Sequence, residues 1–190
     1  VAASTAAGGV DWGRVEVFWG DERFVPPGDA ERNERQAREA LLDHVGLDPA
    51  RVHPMGAAEG SATAESAAQA YAGLLAEHGG EAGVPAFDVT LVGMGEEGHT
   101  LSVFPDSPAV HEATRTVVAV HGCPKPPPDR VSLTLAAIRH SDEVWLVAAG
   151  AAKAPVLARA AAGAAEALQS GEFADQIVGE PRADLGPELL

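Results

Sequence analysis

The sequence predicts an α/β domain of three layers, in which an open, mostly parallel sheet carries helices on both faces. Three observations lead to this prediction. Short apolar runs alternate with amphipathic or Ala-rich runs, several of the apolar runs are continuous, and Gly or Pro separates most of them. Continuous apolar strands are typical of parallel sheets covered on both faces. Regular alternation of strands with helices is typical of a Rossmann-like arrangement.

The same patterns predict the positions of two helices and five strands. Residues 31–45 carry apolar positions near helical spacing, and residues 62–78 form an Ala-rich helix that Gly79-Gly80 ends. We assign 1–169 to one domain and 170–190 to a weakly ordered tail. Strands are predicted over 14–19, 51–55, 87–92, 115–121 and 143–149.

Composition limits the classes of partner. The 190 residues carry a formal net charge of −15 and no basic block, which argues against nucleic acid or an anionic membrane as the main partner. No apolar run approaches the roughly 20 residues that span a bilayer, and residues 1–10 do not have the pattern of a secretory signal. The lone Cys123 suits a reducing cytoplasm, which is the expected location.

The first candidate functional segment, 19–24, directly follows a predicted strand. The carboxyl ends of strands in an open parallel sheet face the ligand crevice, so charged residues there are candidates for function. Arg23 offers a planar fork suited to phosphate or carboxylate, and Asp21 could hold that fork in place. The alternative is a surface turn with a local Asp–Arg pair.

The second segment, 93–99, is a glycine-rich turn after another predicted strand. Its glycines let the backbone approach a ligand closely, and a helix beginning nearby would point N–H groups at an anion. The spacing matches the dinucleotide fingerprint only superficially, because no acidic residue ends a second strand about 20 residues on. His99 closes the turn and could take a proton from water at neutral pH. The alternative is a solvated or capping histidine.

The third segment, 123–134, contains a Pro-rich loop with four prolines between two strand-like runs. Prolines lower the entropy cost of holding Lys125 in one place, where its ammonium group could meet a phosphate. Lys153, the other lysine, begins a predicted helix and is expected to be solvated. Cys123 is more simply a small buried or half-exposed thiol than a nucleophile.

Metal and serine-nucleophile chemistry lack support in the sequence. No Cys pair, no H-x-x-x-H and no G-x-S-x-G elbow occurs. We therefore predict neither a metal nor a cofactor. The histidines other than His99 are scattered singly: His44, His53, His78, His111, His121 and His140.

Together these segments resemble the 6-phosphogluconolactonase family, in the same order and at family-like separations. The resemblance covers about residues 11–159 and is specific as a set. The matching pieces are 17–25, Asn33 with 37–42, Phe87-Asp88, 93–99, Ser102, Phe104-Pro105, Ser107-Pro108, 124–127 and 130–134.

The resemblance implies hydrolysis of 6-phosphogluconolactone to 6-phosphogluconate in the pentose phosphate pathway, without a cofactor. It implies that His99 is the catalytic histidine, that Asp21 positions the site, and that Arg23 and Lys125 bind the anionic sugar-phosphate lactone. Arg130 is a further expected contact. Backbone N–H groups around Gly95 to Gly98 are our own candidates for donors to the substrate oxyanion.

The chain departs from the family pattern at both ends. Nothing before residue 15 supplies the usual first strand with its Gly-Gly-Ser/Thr phosphate loop, and no closing strand is evident after residue 168. We therefore expect a chain that lacks the N-terminal strand and loop. Oligomeric state is not predicted.

Two other functions compete with lactone hydrolysis. A glucosamine-6-phosphate deaminase shares the glycine turn before histidine, but it follows that histidine with a Phe-Asn-Glu-Pro-like segment, where this chain has 102–105, Ser-Val-Phe-Pro. The other alternative is a non-catalytic domain that binds a sugar phosphate.

Overall fold

The computed structural model describes residues 9–80 and 82–170, with side chains as far as residue 163. The described residues divide into two compact units, with the boundary between residues 148 and 149. The described strands are β1 (Val17–Phe18), β2 (Asp21–Arg23), β3 (Val52–His53), β4 (Phe87–Gly93), β5 (Val117–Val120), β6 (Arg130–Leu133) and β7 (Ser141–Val147). The α-helices are α1 (Asn33–Ala40), α2 (Ala64–His78), α3 (Leu135–Ile138) and, in the second unit, α4 (Ala154–Ser170). Short 3₁₀ turns cover Trp12–Arg14, Leu42–His44, Pro49–Arg51, Pro108–His111 and Ala151–Lys153.

The strands of the first unit form parallel and antiparallel pairs. β1 pairs with β3 and β4 pairs with β7, both in parallel. β6 lies between β2 and β5 and is antiparallel to both. The α/β class is confirmed, and the antiparallel sheet is an addition that alternation along the chain does not predict.

The predicted elements are present, most of them shorter than expected, whereas β4 extends one residue further and β7 begins and ends two residues earlier. The helix expected over 31–45 ends at Ala40, where the chain passes into the 3₁₀ turn at Leu42–His44. β2 was not predicted as a strand, because Asp-Glu-Arg has none of the apolar alternation that marks one. The predicted tail, 170–190, lies outside the described residues apart from Ser170, and so do residues 1–8.

The helix α2 supplies much of the core. Thr63 begins it with a capping box, in which its side chain and that of Ser66 each bind the other's backbone N–H. The buried residues of the helix recur at helical spacing and face β5 and β6. They are Ala64, Ala67, Ala68, Tyr71 and Leu75.

Tyr71 joins this helix to the ends of β1 and β3. Its hydroxyl accepts a hydrogen bond from the N–H of Trp19 at 2.8 Å and lies 3.2 Å from the carbonyl of His53. Burial raises the pKa of Tyr71, so the hydroxyl stays neutral. The bond fixes the backbone just before Asp21 and Arg23.

The parallel pair β4–β7 differs from expectation in its cover. A continuous apolar run predicts a strand buried on both faces, yet Leu91 and Trp145 are 64% and 49% exposed. A continuous apolar run favours a strand that is buried on both faces, but it does not specify which elements pack against those faces. No helix among the described residues is both long and apolar enough to cross a membrane.

Candidate active site

The glycine-rich turn after β4 is closed by its own backbone. The N–H of Gly95 donates to the carbonyl of His99 at 2.8 Å, and the N–H of Gly98 donates to the carbonyl of Gly95 at 3.0 Å. Gly98 has a φ of 102°, which a residue with a side chain adopts only with strain. Both N–H groups are thus used to shape the turn, and donation to a substrate oxyanion from the 95–98 segment stays a prediction.

No helix begins at this turn. Residues 94–107 continue as turns, and the next helical segment is the 3₁₀ turn at Pro108–His111. The N–H groups that a nearby helix would have pointed at an anion are therefore not supplied by these residues. Leu101 has a φ of 55°, a left-handed conformation that is uncommon for a leucine.

His99 is held on two sides. Its ring stacks on Phe104 with the ring centroids 4.3 Å apart, and its side chain is 19% exposed. Nδ1 is buried and lies 3.1 Å from Oε1 of Glu97, within ion-pair distance but not aligned for a hydrogen bond. A Cβ placed on Gly95 would overlap Nδ1 and Cε1 of the ring. The turn thus needs glycine at 95 to leave room for the histidine.

Lys125 reaches the same turn from the Pro-rich loop. Its Nζ lies 3.0 Å from Oε2 of Glu97, and half of its side chain is exposed. The Glu97 backbone N–H is the main cause of a lowered pKa at the Glu97 carboxylate, and Lys125 and His99 lower it further. Glu97 therefore stays ionised between the two cationic or basic groups. Glu97 is not among the site residues predicted from the sequence, although an acid two residues before the histidine is a usable signal.

Two arginines face each other on the antiparallel sheet. Arg23 on β2 is the register partner of Arg130 on β6, and directly opposite side chains on antiparallel strands lie close together. Burial and then the charge of Arg23 lower the pKa of Arg130. Two like charges in this position favour an anion between or beside them.

The remaining contacts of the two arginines differ. Arg23 donates through Nη1 to Asn33 Oδ1 at 2.7 Å, whereas its Nε is buried without a hydrogen-bond partner in the part of the chain that the structure describes. Arg130 donates to the carbonyls of Pro127 at 2.7 Å and Lys125 at 3.1 Å. Arg130 thus stabilises the loop that carries Lys125, a role that the sequence did not predict. The Nε of Arg23 is a donor that a ligand could use.

Asp21 is tied to the segment that follows His99. Its Oδ2 accepts a hydrogen bond from the buried Ser102 hydroxyl at 2.7 Å, and Asn33 Nδ2 donates to its backbone carbonyl at 2.9 Å. Ser102 lies three residues after His99. The described contacts of Asp21 therefore suit positioning of the histidine segment through Ser102.

Glu22, between Asp21 and Arg23, is completely buried. Its carboxylate accepts hydrogen bonds from the N–H groups of Asn33 and Glu34 at 2.7 and 2.9 Å, the first residues of α1, and from Arg23 N–H at 2.8 Å. Arg32 lies 3.7 Å away and supplies a counter-charge. Glu22 thus fixes both α1 and the backbone of Arg23. Elsewhere, burial raises the pKa of the Cys123 thiol, so the thiol is not activated as a nucleophile.

Comparison with known proteins identifies the family. The family model described as glucosamine-6-phosphate isomerases/6-phosphogluconolactonase matches residues 1–173. The chain belongs to this family. A 6-phosphogluconolactonase of Streptomyces coelicolor is 53% identical over 171 residues, which cover 87% of this chain and 66% of that relative.

Solved structures of this family agree with the fold. A 6-phosphogluconolactonase from Thermotoga maritima superposes with a TM-score of 0.71 at 26% identity, covering 81% of this chain and 66% of that chain. A 6-phosphogluconolactonase from Trypanosoma brucei superposes with a TM-score of 0.63 at 38% identity. The match covers 74% of this chain and 59% of that chain. The chain spans just under two thirds of the length of the relatives named here, so the activity of the whole protein is a matter for proposal.

Proposed function

We propose that this chain hydrolyses 6-phospho-D-glucono-1,5-lactone to 6-phosphogluconate without a cofactor, as a cytoplasmic step of the pentose phosphate pathway. The observation that carries the proposal is the placement of His99, with its Nδ1 against Glu97 and Lys125 on the other oxygen of that carboxylate. The name shared by the relatives supplies the substrate.

His99 acts as base and then as acid in the proposed reaction. Nδ1 is buried beside the Glu97 carboxylate, so we assign the proton transfer to the other ring nitrogen. Nε2 takes a proton from water as the water oxygen bonds to the lactone carbonyl carbon. The carbonyl electron pair moves to oxygen and forms an oxyanion. When it returns, the bond to the ring oxygen breaks, and Nε2 gives that oxygen its proton. The product is the open-chain acid, which ionises at neutral pH.

The surrounding charges suit this sequence. The ionised Glu97 favours the imidazolium that forms when His99 takes the proton. Lys125 and Arg23 provide positive charge for the phosphate or the developing oxyanion, and a few local cations suffice for this in a protein of net charge −15. We infer that the hydrogen bond between Ser102 and Asp21 fixes the segment that follows His99 and so holds the histidine in place.

The decisive experiment supplies freshly made lactone and follows acid release in a pH-stat, with the spontaneous rate subtracted. His99→Ala should fall to the spontaneous rate, whereas His111→Ala, at an exposed histidine of a 3₁₀ turn, should match the unchanged chain. Equal rates for the unchanged chain and His99→Ala would overturn the proposal. Circular dichroism of each variant checks that it is folded.

The same preparation separates the alternatives. Ammonia release from glucosamine 6-phosphate would identify a deaminase instead. Saturable binding of 6-phosphogluconate with no acid release from the lactone would identify a non-catalytic binding domain.

A further inference from the structure

Two of the histidines that are scattered along the sequence meet in the fold. His53 ends β3, His78 ends α2, and Glu16 directly precedes β1. One ligand atom from each of the three side chains lies within 4.8 Å of the other two. None of these residues belongs to the candidate active site.

The separations suit a small tetrahedral ion. Oε1 of Glu16 lies 2.9 Å from Nε2 of His53 and 3.6 Å from Nε2 of His78. Ligands about 2.0–2.1 Å from a tetrahedral Zn²⁺ are about 3.3 Å from one another, a value that falls between these two distances. An ion would draw His78 and Glu16 closer together, and it would replace the His53–Glu16 hydrogen bond.

His78 is already oriented as a ligand. Its Nδ1 donates to the carbonyl of Leu74 at 2.9 Å, so a proton is on Nδ1 and Nε2 of the neutral ring carries a lone pair. A hydrogen bond from the other ring nitrogen to a carbonyl is the usual support of a metal-binding histidine. The side chain is 31% exposed, which leaves a path for the ion to enter.

The surroundings hold the second imidazole still. The His53 ring stacks on Phe18 with the centroids 4.6 Å apart, and its side chain is only 10% exposed. The ring centroids of His53 and His78 are 4.5 Å apart. Arg51 lies 3.7 Å from Oε2 of Glu16, so this arginine does not compete with the histidines for Oε1.

We propose that Glu16, His53 and His78 bind one divalent transition-metal ion, for which Zn²⁺ is the best match. Two imidazoles and one carboxylate are a zinc ligand set, and water would complete the coordination. Nitrogen ligands disfavour Ca²⁺ and Mg²⁺, which prefer oxygen. The ion would link the end of α2 to the β1–β3 pair.

His121 provides a natural contrast within the same chain. It also lies between carboxylates, but its Nδ1 faces Asp129 at 2.8 Å and its Nε2 faces Glu65 at 2.6 Å. Because the two nitrogens point in opposite directions across the ring, one ion cannot contact both acids and the imidazole. The variant His121→Gln therefore tests whether removing any histidine that lies beside carboxylates weakens Zn²⁺ binding.

The experiment uses chain without a histidine tag, stripped of metal with a chelator and desalted. Calorimetric titration with ZnCl₂ should show one equivalent bound, and bound Co²⁺ should give the visible absorption of a tetrahedral site. Saturating Zn²⁺ at about 100 times the dissociation constant should raise the midpoint of thermal unfolding by about 5 °C or more.

His78→Gln should weaken Zn²⁺ binding by at least about tenfold, the scale on which even outer-shell partners act, whereas His121→Gln should leave it unchanged. His78 is the more exposed of the two histidines, so the His78→Gln variant is expected to fold. Glu16→Gln gives a second test, at the carboxylate ligand. No binding by the unchanged chain, or unchanged binding by His78→Gln, would overturn the proposal. So would loss of binding in His121→Gln alone. Lactone hydrolysis is not a readout, so the two proposals fail independently.

Discussion

Lys125 and Glu97 are 28 residues apart in the sequence, and their side chains meet at 3.0 Å. The contact uses Oε2 of Glu97, and Oε1 of the same carboxylate lies 3.1 Å from Nδ1 of His99. The Glu97 carboxylate thus contacts both the Lys125 ammonium group and the His99 ring, which lie on two different loops. The two contacts have separate consequences, which variants at either end can distinguish.

Removal of the cation tests its part in substrate binding. Lys125→Ala should raise KM for the lactone by about tenfold or more and lower kcat less, because a hydrogen bond to a charged group contributes about 1.5–3 kcal/mol. Lys153→Ala, at the only other lysine, should leave both constants unchanged. An unchanged KM in Lys125→Ala would remove this residue from the binding site. Initial rates over a range of lactone concentrations give both values.

Neutralisation of the carboxylate tests the histidine contact. Glu97→Gln should lower kcat by at least about tenfold, because the imidazolium formed in the reaction loses its counter-charge. KM should not rise, since Lys125 remains and is released from its ion pair. Glu96→Gln, at the exposed neighbouring acid, is the matched control. A variant with unaltered kcat would show that Glu97 does not act on His99.

Steric displacement of His99 can be tested without changing any charge. In Gly95→Ala, the new Cβ overlaps the His99 ring, and a shift of about 1 Å in a reacting group can cost about a hundredfold in rate. We expect kcat to fall on that scale while the far-UV circular dichroism is unchanged. Gly93→Ala is the control, because a Cβ there meets nothing within 4 Å. Equal activity of the two variants would contradict the described position of the ring.

The buried Glu22 should be a major contributor to stability. Glu22→Ala leaves Arg32 without its buried partner and removes the acceptor at the start of α1, a combination that costs about 3–5 kcal/mol of unfolding free energy. Glu39→Ala, at an exposed residue of the same helix, should change it by less than about 1 kcal/mol. Urea unfolding gives both values. A loss below 1 kcal/mol in Glu22→Ala would refute the capping role.

The sequence predicted the α/β class and the strand before the glycine turn, because both depend on local periodicity. It did not predict the roles of Glu22 or Glu97. Each has a partner 10 or more positions away, Asn33 for Glu22 and Lys125 for Glu97, and no local pattern reports such contacts. The contact of Glu97 with His99 is local, and there the spacing of two residues was a usable signal. The pattern at 93–99 likewise shows a turn but not which N–H groups close it, and in the fold those of Gly95 and Gly98 do so. His53 and His78 are 25 positions apart, so their meeting depends on the packing of α2 beside β3.

Acidification should expose the contribution of Glu112. Its carboxylate accepts hydrogen bonds from the N–H groups of Arg115 and Thr114, which with the Thr114 hydroxyl and the Arg115 guanidinium lower its pKa to about 2. In the unfolded chain the pKa is about 4.3. Because the folded-state pKa is the lower one, the stabilisation is complete above about pH 5 and is lost as the pH falls toward 2. Urea midpoints measured from pH 6 to 3.5 should fall more steeply for the unchanged chain than for Glu112→Gln. Glu59→Gln, at an exposed loop residue, should follow the unchanged chain, and parallel curves for Glu112→Gln and the unchanged chain would contradict the lowered pKa.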